Sequence, residues 1–484
     1  MRRLARSGLA LALLFAVCFP AEYAVRALSA ERNAGKETAV PLSGGRFQPD
    51  MEYLDYYGLG AFDTALPVVY IDTGGQQIEK ENKVWAEVGI LNADRDAGER
   101  SVLEEPDELE AATIKMRGAS SYYMFEKKQY RLKFYKKQGG NGAKDVGFLG
   151  MADHSEWVLN GPYLDKTLLR NRLIYGLARE IFAWAPDTRY FELFLNGRYQ
   201  GLYLAVEPVT TGAGRLGLSE YGLLSGETSY LVKRDRIGTE GEPLNTYGTE
   251  NGKTRNRLYL DYPSEKRVTE AQRAWIEQDI SRFERSLYGG VGNRPSPEYE
   301  QYIDLDNFVD YFIFNEVCMN YDAGNLSTYA YKDLKGKLNL AVWDYNNAYD
   351  NYQWFSLRPE EWMVLNNSWF EQLVKDRKFV DRVRERYWEL RRGPLDEAHM
   401  YELIARYQEE MGGAVERNYA VWGCAFDDNF TNEPQREIHS YPEALAQLKR
   451  AIHSRFVFLD RHLADLYQWC EDGEQTENAD EVPA

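Results

Sequence analysis

Cysteine and histidine are scarce, with four and five residues in a chain of 484. Cys18 lies in an N-terminal apolar run, and Cys318, Cys424 and Cys470 are an odd, widely spaced remainder. No disulfide framework follows from them. His154, His399, His439, His453 and His462 show no ligand spacing, so a His-based zinc hydrolase is not expected. Basic charge is in deficit too: 58 Lys and Arg stand against 76 Asp and Glu, a formal net charge of −18. Nucleic-acid binding needs a basic footprint, so no nucleic-acid partner is expected. Long apolar runs are also missing. The stretch 8–19, behind the basic "MRRLAR", is shorter than the roughly 20 residues of a membrane span. Residues 1–30 read as a secretory signal peptide or, uncleaved, an N-terminal anchor, which would be the chain's one route to a membrane.

Aromatics are abundant, with 35 Tyr and 11 Trp, and hydrophobic residues make up 44%. That composition forms packed cores, and the length calls for two or more of them. Residues 31–66 read as a linker rich in Gly, Ser, Pro and charge. A β-rich lobe follows over 67–207, a helical lobe over 208–470, and an acidic tail, expected to be disordered, over 471–484. The overall expectation is an α+β fold.

In the first lobe "LPVVYIDT", "VWAEVGIL", "ATIKMRG", "KQYRLKF" and "EWVLNGPY" read as strands, with "ASSYYMFEK" as a loop. Tyr130, Leu132 and Phe134 alternate with Gln129, Arg131 and Lys133, the period of a strand with one buried face. In "DKTLLRNRLIYGLAREIF" the apolar residues recur every fourth position, so it reads as a helix capped by Asp165. "RYFELFLNGRYQGLYLAVE" turns at Asn196-Gly197, a type I′ hairpin signal, giving a largely antiparallel sheet with one embedded helix. In the second lobe, Thr269 and Gln272 form a capping box. Residues 304–319 are apolar nearly all round, the mark of a buried helix. Helices are expected at about 369–392, 397–416 and 440–469.

The densest polar chemistry flanks one hairpin, "NYDAGNLSTYAYKDLKGKLNLAVWDYNNAYD". Asp322 opens it and Asp344 closes it, so the two carboxylates are expected at one mouth, between many Asn amides. Such hard oxygen donors suit magnesium. Phosphoryl transfer needs one Asp to orient the acceptor hydroxyl, another Asp and an Asn to hold the metal, and a base from a β-lobe to offset phosphate charge. Protein kinases have the same order of lobes and hairpin, which is an analogy of arrangement. Against it, Asp and Asn gather in loops simply because they bond local backbone.

Four ordered blocks over about 110–350 add to this reading: "MRGASSYYMFEKKQYRLKF", "EWVLNGPYLDKTLLRNRLI", "FELFLNGRYQGLYLAVEPV" and "DNFVDYFIFNEVCMNYDAGN" running on to "AVWDYNNAYD". In these the chain resembles the spore coat protein H (CotH) kinase family of secreted or spore-associated atypical kinases. The resemblance implies a two-lobed protein-kinase-like fold, ATP and Mg2+ as cofactors, and an exported protein of the extracellular space, cell envelope or spore coat that acts on spore-coat or cell-surface proteins. It implies Asp322 as the catalytic residue and Asp344 as the magnesium ligand, with Asn325 or Ser327 at the position of the family's second metal ligand. Of these two, Asn325 is the first choice.

For nucleotide binding the resemblance implies Lys128, then Lys133, and the small-residue loop with Arg117, Gly118, Ser120 and Ser121. Arg170 and Asn171 match the family's helix, where Arg170 meets phosphate or a carboxylate, and Glu207 would border the adenine. Two departures stand out. Asn346 replaces the second Asp of the family's W-D-x-D block, and "NNAYDN" replaces the glycine that often follows. The expected activity is Ser/Thr phosphorylation. The rivals are a noncatalytic envelope scaffold and, further off, a glycosidase built on paired carboxylates.

Overall fold

The computed structural model describes residues 47–92, 98–222, 224–239, 241–290, 294–428, 430, 433 and 436–470. The expected signal peptide or anchor, most of the expected linker and the acidic tail lie outside them. Among the described residues no helix is long and apolar enough to cross a membrane.

Residues 47–66 are not a linker. Asp50 caps helix α1 (Met51–Tyr56) by accepting the Tyr53 N–H, and β1 (Asp63–Thr64) pairs with β4 (Arg100–Ser101). The segment has few aliphatic residues. Its Phe47 and Leu54 nonetheless bury against Val68, Tyr70, Phe194 and Tyr199, and that burial orders it.

The first expected sheet is present but closes on itself. β2 (Val68–Asp72), β3 (Val84–Leu91), β5 (Glu108–Arg117), β6 (Gln129–Tyr135), β7 (Glu156–Asn160), β9 (Arg198–Val206) and β8 (Thr188–Leu195) form a seven-stranded barrel in that spatial order. All its pairings are antiparallel except the closing one, β2 with β8, where Val68 faces Glu192 and Ile71 faces Leu195. Closure removes the free strand edges that an open sheet would expose. Inward residues such as Val88, Ile114, Leu132, Phe134 and Trp157 fill the barrel. The alternation in β6 holds, because Arg131 and Lys133 face outward. Asn196 and Gly197 have φ of 49° and 81°, as the β8–β9 turn requires.

The expected loop after β5 contains a short helix, α2 (Ser120–Met124). Helix α3 (Arg170–Ile181) starts later than the sequence suggests. Asp165 still serves its end, accepting the Arg170 N–H at 2.7 Å. Although it lies between barrel strands in sequence, α3 packs in the large core with the C-terminal helices, where Leu173 and Leu177 belong to the same cluster as Phe314, Leu403 and Leu448.

The second half is helical, but it also holds a four-stranded antiparallel sheet. Its order is β11 (Arg257–Tyr262), β10 (Tyr230–Asp235), β12 (Thr328–Lys332), β13 (Asn339–Ala341). The last two strands are the expected hairpin; the first two are additional. After α4 (Tyr247–Glu250), α5 (Glu270–Tyr288) carries the expected capping box. Helix α6 (Leu305–Val317) is buried along nearly its whole length. Helices α7 (Phe370–Leu373), α8 (Arg377–Arg391), α9 (Glu397–Met411), α10 (Ala414–Trp422) and α11 (Tyr441–His462) complete a mixed α+β architecture.

Candidate active site

Helix α6 delivers the chain to the hairpin through Met319, whose φ is 54°. Asn320 then donates to Asn315 Oδ1 at 3.0 Å. The carbonyl of Asp322 accepts the N–H groups of Asn325 at 3.0 Å and Leu326 at 2.8 Å, which winds 322–326 into a tight turn before β12. After β13 the chain returns at Asp344, itself left-handed with φ of 66°. Helix α3 fixes this return. The Asp344 N–H donates to Tyr175 Oη at 3.0 Å and the Tyr345 N–H to Asn171 Oδ1 at 3.0 Å. Ser327, Asp344, Tyr349 and Asp350 all have positive φ. Non-glycine residues persist there only when their surroundings enforce it, and such residues cluster at functional sites.

The two carboxylates face a common space. Asp322 accepts from Tyr352 Oη at 3.3 Å and from Asn347 Nδ2 at 3.4 Å. Asp344 accepts from Ser327 Oγ at 3.2 Å. Loss of water, followed by the nearby charge of Asp344, pushes Asp322 up to about 6, against the pull of Arg236. Loss of water also raises Asp344, with Arg117 and the Ser327 hydroxyl working the other way. Arg117 reaches the site from the barrel, with its guanidinium 5.7 Å from the Trp343 ring centroid and donating to Gln129 Oε1 at 2.9 Å.

Beside this mouth lies a narrow cleft of about 10 Å³, room for one water molecule, lined by Gln129, Asn160, Gly161, Tyr163, Asn171 and Asn346 among others. It joins the end of β7, the start of α3 and the loop after Asp344.

Several expected site residues are placed elsewhere. The Asn325 amide is used at both ends, donating to Asn367 at 2.7 Å and accepting from Ser368 at 2.9 Å, so Ser327 is the side chain that reaches Asp344. Lys128 seats its ammonium on the carbonyls of Tyr122 at 2.8 Å and Phe125 at 2.7 Å, closing α2. Lys133 bonds Glu156 at 2.7 Å, and Arg131 shares that carboxylate. Ser120 and Ser121 form the first turn of α2, next to Gly118 with its φ of 106°.

Arg170 is buried and fully engaged. It pairs with Asp165 at 2.6 Å and also donates to Ala348 O, Tyr349 O and Gln447, so of the two partners left open by the sequence it takes the carboxylate. It clamps the return loop from behind rather than facing the cleft. Glu207 is also enclosed, paired with Arg215 at 2.6 Å. The strand end that borders the cleft is Asn160-Gly161-Pro162 instead.

Sequence reasoning missed Arg236, Tyr352 and Asn347, which lie outside the strands and helices. The "NGP" that ends β7 was the available signal for the cleft edge. It also missed Lys127, completely buried and bonded to Leu202 O at 2.6 Å and Asn418 Oδ1 at 2.7 Å.

Among the described residues no group of three or more His, Cys, Asp or Glu side chains is gathered to hold a metal ion. The donor set at the mouth is two carboxylates with Ser and Asn oxygens. This fits magnesium, which uses one or two protein carboxylates and completes its shell with water and substrate phosphates.

Comparison with known proteins places the chain beside a family and a curated relative. A family model described as CotH kinase protein matches residues 114–458, well over half of the chain. The inner spore coat protein H of Bacillus subtilis (strain 168) is 24% identical over 228 residues, 46% of this chain and 54% of that protein. The chain thus matches about half the length of that relative.

Proposed function

From its place in the CotH kinase protein family, to which the chain belongs, we propose that it is an atypical protein kinase that transfers the γ-phosphoryl group of ATP to Ser or Thr hydroxyls of spore-coat or cell-envelope proteins. What supports the reading is one hairpin that carries a carboxylate at each end, Asp322 bonded by Tyr352 and Asn347 and Asp344 bonded by Ser327. Two carboxylates so placed are short of positive charge. A hard divalent cation bound with a nucleotide would supply it.

In this reading Asp344, Ser327 and Asn346 would hold Mg2+ through their oxygens. The bound ion would neutralise charge on the transferring phosphoryl group. Arg117 faces the phosphates from the barrel. Asp322 accepts the proton of the acceptor hydroxyl as its oxygen attacks phosphorus, and Tyr352 and Asn347 hold that carboxylate in place. The barrel and the helical half would then correspond to the two lobes of a kinase, with the nucleotide entering beside Asn171 and Asn346, where the cleft has to widen to admit it. The relative named inner spore coat protein H supports a location in the spore coat.

One observation favours the noncatalytic scaffold. Asn346 stands where an acid would strengthen metal binding, and the Asn325 amide is already engaged.

Thermal-shift titration separates the two readings. Stabilisation that grows with Mg2+ and ATP together, and disappears with EDTA, is expected of the kinase. Label from γ-labelled ATP should then appear on a Ser-containing acceptor. Saturable binding without any transfer would leave the scaffold.

A further inference from the structure

A cluster of three aromatic rings lies next to Asp322, joined to it through Tyr352. Tyr352, whose hydroxyl donates to Asp322 Oδ1 at 3.3 Å, has its ring centroid 5.4 Å from Tyr321 and 5.0 Å from Phe355. Tyr321 and Phe355 are 5.3 Å apart with planes at 89°. Tyr321 immediately precedes Asp322 and is 43% exposed, whereas Tyr352 is 7% exposed. The cluster therefore presents one open ring backed by the buried Tyr352 and the half-buried Phe355.

The cluster is also rigidly held. Arg436 donates to the carbonyl of Tyr352 at 3.0 Å and to that of Phe355 at 3.4 Å, and it pairs with Asp350 at 3.0 Å. Asn367 bonds the Tyr321 carbonyl at 3.1 Å.

We propose that the face of Tyr321 is the acceptor seat: it takes the residue adjacent to the phosphorylated Ser or Thr, and it selects polypeptides in which that residue is an aromatic ring. This rests on the kinase reading. In phosphoryl transfer the attacking oxygen must lie opposite the leaving oxygen, in line through phosphorus. The acceptor hydroxyl has to meet Asp322, and the exposed ring of Tyr321 directly precedes that residue, so the residue beside the acceptor passes over this ring. The acceptor oxygen forms its bond to the γ-phosphorus, the bond to the β-γ bridging oxygen breaks with ADP leaving, and the hydroxyl proton passes to Asp322. A ring beside the acceptor hydroxyl meets Tyr321 edge-on or offset, the arrangements that aromatic pairs prefer. Because the seat is already ordered, little freedom is lost on binding.

The test uses the full chain, Mg2+, γ-labelled ATP and two peptides that differ only in whether the acceptor Ser is followed by Phe or by Ala. The unmutated protein is expected to prefer the Phe peptide about tenfold in kcat/KM, mostly through KM. In Tyr321→Ala that ratio falls to near one, while Mg2+-ATP binding measured by thermal shift is kept. Tyr321→Phe retains the ring and restores the ratio. Transfer that is equal for the two peptides, or a preference that survives Tyr321→Ala, overturns the seat but not the kinase. Absence of any transfer by the unmutated protein removes the kinase reading and the seat with it.

Discussion

Replacing Asp322 by Asn should stabilise this protein at neutral pH, although Asp322 is the residue read as catalytic. In the folded chain its carboxyl is raised from 3.8 to about 6, by loss of water and then by the charge of Asp344. A carboxyl raised on folding contributes stability that is fully present below its unfolded pKa and lost as pH climbs through the folded one. The relevant window is therefore pH 4 to 6. One pH unit is worth about 1.4 kcal/mol, so a rise of about two units makes the charged carboxylate destabilising by about 3 kcal/mol at most above pH 6. Partial exposure to water reduces that figure.

Asn keeps an oxygen to accept from Tyr352 and loses only the 3.4 Å contact with Asn347. Urea unfolding of the parent and Asp322→Asn, followed by Trp fluorescence at pH 4, 5, 6 and 7, should give nearly equal stabilities at pH 4. A gap in favour of the variant should open by pH 6 and stay level beyond. Saturating Mg2+ and ATP should narrow it, because the cation then offsets the same charge. A gap that is flat with pH, or a variant less stable than the parent at pH 7, would refute the argument. Asp322 would then be a local structural carboxylate like Asp50 or Asp165.

Asp344→Ala should remove the magnesium-dependent part of ATP stabilisation while the chain stays folded; unchanged Mg2+-ATP titration curves would move the metal elsewhere. Arg117→Ala should weaken Mg2+-ATP binding about tenfold, equivalent to about 1.4 kcal/mol, and by more than Lys133→Ala, whose ammonium is already bonded to Glu156; calorimetric titration that reverses this order would place the phosphates against the other strand. Arg455→Met should cost about 3–5 kcal/mol, because it strands the buried carboxylate of Glu316, which Arg455 contacts at 2.5 Å; an unaltered denaturation midpoint would mean that the three N–H groups of Met363, Val364 and Leu365 suffice for that charge. Gly118→Ala should loosen the α2 turn, since its φ is 106° and an added Cβ would lie 2.1 Å from Ser121 Oγ; limited proteolysis within 118–128 at the parent's rate would contradict this.

The sequence was most readable where signals are local. The β12–β13 hairpin, the Asn196-Gly197 turn, the Thr269 capping box and the all-apolar α6 each declare themselves within a few residues. Barrel closure does not, because it depends on the parallel pairing of Val68–Ile71 with Glu192–Leu195, two segments far apart in the chain with no shared pattern. β10 and β11 were hidden by their charges: Lys233, Asp235, Arg257 and Asp261 keep contact with water, while Arg234 is buried with its guanidinium 4.4 Å from the Trp369 ring centroid, a partner that no local pattern announces. At the site, motif spacing brought Asp322 and Asp344 to one mouth but could not separate Asn325 from Ser327. That choice turns on backbone angle, and the φ of 48° at Ser327 accompanies its bond to Asp344. Tyr352 and Arg236 come from irregular segments, where periodicity says nothing about where a side chain ends.

The position of α3 has a consequence for anyone dividing this chain. Between strands of the barrel in sequence, it is built into the core of the other half. Leu169, Leu173 and Leu177 are all completely covered there, Arg172 reaches Glu410, and Phe182 lies edge-on to Phe314 at 5.4 Å. A fragment cut at the apparent boundary after residue 207 would carry this helix with its apolar face bare, and the remainder would have a groove where the helix belongs. Neither piece should be soluble alone. Mixed or co-expressed, they should find each other through α3, as a split protein reassembles.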